Sequence, residues 1–227
     1  MKLKQFKGVH FPDAIVMLTL YHYFGFSLSY RNVETLIKMR GISIDHATIQ
    51  RWVIKFGPFL EKAFKRKKKV VGRKWHMDET YLKIKGKQYF YYRAVDEQAQ
   101  TIDFYLSPTR NKKAALTFFR KAINSNKIPS SVNMDKSSAN YAAIKIVNKQ
   151  LPKDKTIEIR RIKYRNNIIE QDHRTVKRKH KMSMGFNSFQ GACNTLKGIE
   201  VVHMLRKGQG SIYADRPIWR QFYALME

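Results

Sequence analysis

The chain has 227 residues, enough for one substantial domain with its own core and a smaller satellite. Its 45 Lys and Arg against 17 Asp and Glu give a formal net charge of +28, so a dense polyanion is the natural partner. The cations are interleaved with Tyr, Phe and Trp along the whole sequence and not gathered on one amphipathic helix, which favours nucleic acid over a membrane surface.

A structural RNA-binding protein is the bland reading of that charge. Cys193 is the only cysteine, which excludes an internal disulfide framework and a Cys-based zinc cluster and fits a reducing compartment. The apolar run after MKLKQFK is interrupted or flanked by Pro12, Asp13 and His22 and is not followed by a small-residue cleavage site. No uninterrupted stretch of about 18 apolar residues occurs, so the expectation is a cytoplasmic, nucleoid-associated protein.

Three helices are predicted first. Residues 12–24 open with Pro and Asp and carry Ile15, Leu18 and Tyr21 at helical spacing. Ser29 caps a second helix with Val33, Leu36 and Ile37 on one side, ended by Gly41. Asp45 caps a third, HATIQRWVIKF, with Ile49, Trp52, Val53 and Phe56 on its apolar stripe, and Gly57-Pro58 is expected to stop it.

The short GISI connection makes the last two a helix-turn-helix. Its outward face presents His46, Thr48, Gln50, Arg51 and Lys55, side chains able to meet base edges and phosphates in a major groove. Such a trio with a buried Trp is also a common packing unit. This DNA-binding region is placed at residues 1–61, followed by a basic linker at 62–73 in which Lys65 to Lys69 are all cationic.

From Trp75 the period changes to that of strands. WHMDETYLKIKG and KQYFYYRAVD form a predicted hairpin around Lys-Gly-Lys, and TIDFYLSP is a third strand. A helix over 111–125, a short strand ending in Asp135, a helix over 138–150, a strand IEIRRIKY and a helix holding Glu170 follow. That order predicts an α/β, ribonuclease-H-like mixed sheet with flanking helices over residues 74–185.

In that arrangement the first and fourth strands are neighbours, so Asp78 and Asp135 meet over the sheet, and Glu170 swings in from the last helix. Two aspartates and a glutamate supply few, hard oxygen ligands, which suits Mg²⁺ shared with a substrate phosphate. Two such ions about 3.5–4 Å apart can activate an attacking hydroxyl and stabilise the departing 3′ oxygen. Lys177 lies seven positions beyond Glu170, two helical turns or about 10 Å along the axis, and can hold a phosphate.

Each acid also has a dull role: Asp78 ends a strand, Asp135 caps a helix, and Glu170 completes a capping box with Asn167. Arg165, Asn166 and Asn167 precede the Glu170 helix, where backbone N–H groups favour phosphate, and Arg174, Arg178 and Lys181 continue a positive surface. His173 shares the helix face of Glu170 and is a weaker candidate.

WHMDETYLKIKGKQYFYYRAVD, VNMDKSSANYAAI, RIKYRNNIIEQDH and NTLKGIEVVHMLRKGQ resemble the corresponding segments of the DDE transposases of small bacterial insertion sequences, specifically the insertion-sequence 6 family. The 34 residues between Asp135 and Glu170, with a basic residue seven beyond that glutamate, are similar to the family pattern. The resemblance implies that Asp78, Asp135 and Glu170 are a metal-binding catalytic triad served by two Mg²⁺ ions, for which Mn²⁺ can substitute.

It further implies that Lys177 steadies the terminal DNA phosphate and that the amino-terminal helices recognise terminal inverted repeats. Nicking would free a 3′ hydroxyl for attack on target DNA, in a homo-oligomer of at least two chains, by replicative cointegrate formation. The alternative is a non-catalytic helix-turn-helix regulator derived from a transposase. A nuclease acting on RNA hybrids explains the helix-turn-helix poorly.

Ser188 caps a final predicted helix over 189–208 with Phe189, Ala192, Leu196, Ile199 and His203 on one face, expected to cover the sheet or form a subunit contact. The remainder of the 186–227 region reads as a loose tail anchored by Tyr213, Trp219 and Tyr223.

Overall fold

In the computed structural model, residues 6–182, 186–211 and 213–226 are described, with the side chains of Lys163, Arg165 and Met182 excepted. They fold as two compact units, one of residues 70–175 and one of residues 1–69 with 176–227.

The first unit is a five-stranded mixed sheet. β1 (Lys74–Ile84) and β2 (Lys87–Asp96) form the expected hairpin around Lys85 and Gly86, both at positive φ (48° and 77°), the two-residue turn that suits the strand twist. β3 (Thr101–Ser107), β4 (Ser131–Asn133) and β5 (Glu158–Arg160) complete the order β3-β2-β1-β4-β5. β1 runs antiparallel to β2 and parallel to β4, so the first and fourth strands are neighbours, as the ribonuclease-H-like reading requires.

β1 alternates. Trp75 and Met77 are buried with Tyr92 and Ala94 of β2 in a core that includes Phe118, Phe119 and Ala122 of α4 (Lys112–Ser125) and Ala143, Ile144 and Val147 of α5 (Ser138–Gln150). The intervening residues point to the opposite face of the sheet. That face carries Asp78 and, across the ladder from it, Arg93. After a 3₁₀ turn at Lys163–Asn166 comes α6 (Asn167–Met182), which begins in this unit.

The second unit is helical: α1 (Asp13–Gly25), α2 (Tyr30–Lys38), α3 (His46–Arg66), α7 (Phe189–Arg206) and α8 (Ile218–Tyr223). Ser29 and Asp45 cap α2 and α3 as expected, the Asp45 carboxylate accepting from Ala47 N at 2.9 Å and Thr48 N at 3.0 Å. Gly57 and Pro58 do not stop α3, which continues to Arg66 with the proline inside it. The glycine serves packing instead: a Cβ there would collide with the backbone carbonyl of Asn194, so α3 and α7 approach each other through this bare position.

α7 packs on α3, α1 and α8. Its last two turns, Gly198 to Leu205, are buried on all sides, so this is the central helix of the unit and not a one-faced lid. Lys67 and Lys69 are held too. Lys69 N donates to Gln209 O and Ser211 N to Lys67 O, each at 2.8 Å, while the two ammonium groups donate to the carbonyls of Ala224 and Gly208. In the tail, Phe222, Leu225 and Met226 are the buried anchors, whereas Tyr213 and Trp219 are 38% and 44% exposed. No helix among the described residues is long and apolar enough to cross a membrane.

Candidate active site

β4 pairs with β1 only from Lys74 to His76. Beyond His76 that edge of β1 has no β4 neighbour, and the next two residues, Asp78 and Glu79, project to opposite faces there. Asp135 follows the end of β4 by two residues. The carboxylates of Asp78, Glu79 and Asp135 consequently gather with ligand atoms all within 4.8 Å of one another. Asp78 and Asp135 meet as their strand order predicts.

Glu79 is the residue the sequence reasoning passed over. Its side chain is 2% exposed. It accepts from Asn140 Nδ2 at 2.9 Å and from the Arg110 guanidinium, and Arg110 also donates to Asp135 Oδ2 at 3.2 Å. Burial pushes the Glu79 carboxyl up; its bonds to Asn140 and Arg110 pull it back, and the neighbouring Asp135 charge raises it further. Burial, with the Glu79 charge beside it, pushes the Tyr92 phenol up to about 12.

Asp135 Oδ1 accepts from Ser137 N at 3.0 Å, which fixes the turn into α5, and lies 3.4 Å from Asn140 Nδ2. Three hard oxygen donors in a half-buried pocket, one of them a carboxylate whose charge burial disfavours, fit a divalent cation.

Glu170 is not in that group. It is exposed on the first turn of α6, one turn before His173, whose Nε2 is 3.4 Å from Asp78 Oδ2. Three links fix this end of the helix. Asn133 of β4 donates to Ile162 O at 3.1 Å and to Asn166 Oδ1 at 2.6 Å. The ion pair of Arg93 with Asp172 spans 2.6 Å and is almost fully buried, and His173 stands against Asp78. The backbone placing Glu170 is thus anchored to β1, which carries Asp78, and to β4, which Asp135 follows.

Lys177 and Arg178 are exposed on the part of α6 that belongs to the helical unit, and Arg174 is exposed in the sheet unit. The side chain of Arg165 lies outside the described residues. On α3, Arg51 and Lys55 are exposed and Thr48 and Gln50 half-buried. Arg51 donates to Thr48 Oγ1 at 2.7 Å, and His46 Nδ1 is 3.0 Å from Glu34 Oε2 on α2.

The remaining acids of the sheet have structural work. Asp96 accepts from the backbone N–H groups of Gly72, Gln98 and Gln100, closing the β2–β3 turn, and Asp103 pairs with Lys121.

A family model described as a DDE domain matches residues 72–209, and the model of the transposase IS66 family matches residues 8–128. The transposase for insertion sequence-like element IS431mec of Staphylococcus aureus is 34% identical over 206 residues, covering 90% of each chain. The transposase for insertion sequence element IS257 in transposon Tn4003 of Staphylococcus aureus matches to the same extent.

Among solved structures, the HTLV-2 integrase catalytic core domain in complex with magnesium aligns at TM-score 0.46 and 14% identity, over 59% of this chain and 86% of that one. The Mos1 transposase catalytic domain aligns at TM-score 0.38 and 12% identity, over 77% and 92%. The sheet order, and not these distant likenesses, carries the fold assignment.

Proposed function

Because this chain belongs to the DDE transposases of bacterial insertion sequences, the insertion-sequence 6 family, we propose that it binds its element's terminal inverted repeats and cuts and joins DNA with Asp78, Asp135 and Glu170. The observation that carries the reading is the convergence of Asp78 and Asp135, with Glu79, inside the stretch matched as a DDE domain. Asp78, Asp135 and Glu170 would hold Mg²⁺, or Mn²⁺ in its place, as a pair of ions that supplies Lewis acidity and lowers the pKa of an attacking hydroxyl.

The chain's own residues do the positioning. His173 and the buried Arg93–Asp172 pair hold the second turn of α6 against β1 and β2, one turn beyond Glu170, and from there the Glu170 side chain would swing to the aspartates when metal binds. The N–H groups and dipole at that helix start favour a phosphate. Lys177, two turns further along α6, steadies the terminal phosphate, with Arg165, Arg174 and Arg178 along the backbone.

His46, Thr48, Gln50, Arg51 and Lys55 read the repeat from α3. Two element ends must be held together for joining, so the working species is a homo-oligomer of at least two chains, acting on DNA in the bacterial cytoplasm. The pathway is replicative, with a cointegrate as product.

Single Asp78→Asn, Asp135→Asn and Glu170→Gln variants test this on labelled end-repeat DNA with Mg²⁺ or Mn²⁺. Repeat binding should persist while nicking and strand transfer fall by about a thousandfold or more. Normal transposition in any one variant refutes its assignment. Tight, site-specific binding by the wild-type chain without nicking under either metal would identify a regulator instead.

A further inference from the structure

The Arg110 guanidinium bridges Glu79 and Asp135, two of the three converging carboxylates. Its backbone is well held: Arg110 sits between Ser107, whose hydroxyl accepts from Thr109 N at 3.2 Å, and Asn111, the N-cap of α4, which accepts from Ala114 N at 2.9 Å. The side chain is 46% exposed, so one edge of the fork grips the acids while the rest faces solvent.

The oxygens it takes line the place a cation would fill, and one of them belongs to Asp135. Glu79 Oε2 is bound by Asn140, and Asp135 Oδ1 by the Ser137 N–H. Arg110 holds the other two, Glu79 Oε1 and Asp135 Oδ2. A divalent ion requires carboxylate oxygens at about 2.0–2.1 Å in near-octahedral array, and a positive guanidinium on those same lone pairs opposes it by occupancy and by charge.

Resting on the metal reading above, we propose that Arg110 is an exchangeable counter-ion: it holds Glu79 and Asp135 together, yields Asp135 Oδ2 to the incoming metal, and turns its planar fork to a DNA phosphate. Arginine suits both tasks, since its forked donors match a carboxylate or a phosphate and its charge does not titrate. No bond is made or broken in the exchange except hydrogen bonds and metal–oxygen contacts. Before the metal arrives Arg110 keeps the like-charged carboxylates from springing apart, and after it arrives Arg110 contacts the DNA.

The test is Mn²⁺ binding to the full chain without DNA, followed by the electron paramagnetic resonance of free Mn²⁺, in wild type, Arg110→Gln, Arg110→Lys and Asp135→Asn. Exchange predicts that Arg110→Gln tightens Mn²⁺ binding by about three- to tenfold, because a competing cation is gone. Arg110→Lys, which keeps the charge and loses the fork, should stay near wild type. In end-repeat DNA binding, Arg110→Gln should lower the slope of log affinity against log salt by about 0.9, one phosphate contact.

If Arg110→Gln instead weakens Mn²⁺ binding and Arg110→Lys restores it, the arginine merely orients the ligands and the exchange is overturned. If wild type binds no Mn²⁺, or Asp135→Asn binds it as well as wild type does, the metal reading itself fails and takes the exchange with it.

Discussion

The two compact units lean on charge to different degrees. In the sheet unit, opposite charges are paired at short range and set geometry: Arg93 with Asp172, Lys121 with Asp103, and Arg110 with Glu79 and Asp135. In the helical unit, Glu61 pairs with Lys65 and Lys197, but Arg31, Arg40, Arg51, Lys55, Lys62 and Arg66 stand exposed, and close steric packing does much of the holding, with bare glycines where α7 meets α3 and α1. The difference separates two tasks. A reaction centre needs charges fixed to within fractions of an ångström, whereas a polyanion-binding surface needs a field, which exposed cations supply without a fixed partner.

The contrast breaks most sharply at Arg93. Arg93→Met leaves the Asp172 carboxylate buried without its guanidinium and should cost about 3–5 kcal/mol, read from denaturant unfolding of the full chain. Arg93→Met combined with Asp172→Leu should recover most of that loss. A single-variant cost below about 1 kcal/mol would mean that charge does not organise the sheet unit.

Gly57→Ala probes the steric side. The added methyl meets the Asn194 backbone carbonyl, which cannot swing away as a side chain can, so the expected cost is about 1–3 kcal/mol despite the better helix propensity of alanine. Gly198→Ala, whose methyl would enter the Phe24 ring, should behave alike. An unchanged unfolding midpoint in both would show that α7 has slack against its neighbours.

Lys179 sharpens the comparison from the other side, as one of the charges buried in the helical unit with Glu61 and Glu200. Its ammonium donates to Phe26 O at 2.9 Å and Leu28 O at 2.8 Å, past the end of α1, and lies over the Tyr23 ring. Burial pulls its pKa down to about 7 from the ordinary 10.5. Between those values the unfolded chain binds the proton and the folded one does not, so this group's contribution to stability rises with pH from about 7 toward 10. Melting of wild type between pH 7 and 9 should therefore gain slightly on Lys179→Met, and a parallel pH dependence in the two would contradict that.

Much of this was legible in the sequence, for identifiable reasons. Strand alternation, the Lys-Gly turn and helix caps are local signals, and they gave the strand order that places Asp78 beside Asp135. Glu79 escaped because adjacent strand residues point to opposite faces; it reaches the cluster only where β4 stops and leaves the β1 edge open. The run SVNMD pairs with β1 only over Ser131–Asn133, and this early end is what leaves the edge open.

Gly57-Pro58 reads as a helix stop, yet here tertiary packing against α7 decides the outcome. Likewise α7 looked one-faced because Gly191, Thr195, Gly198 and Glu200 are small or polar, although all four are buried. Glu170 carries no local signal for how far its side chain reaches.

That reach decides whether the chain can do the chemistry. The most direct measurement is anomalous diffraction from crystals of the full chain bound to end-repeat DNA and Mn²⁺. Manganese peaks are expected with oxygens of Asp78, Asp135 and Glu170 as ligands at about 2.0–2.3 Å, and Arg110 turned toward a phosphate. Manganese bound elsewhere, or seated on Asp78 and Asp135 with Glu170 still pointing into solvent, would contradict it.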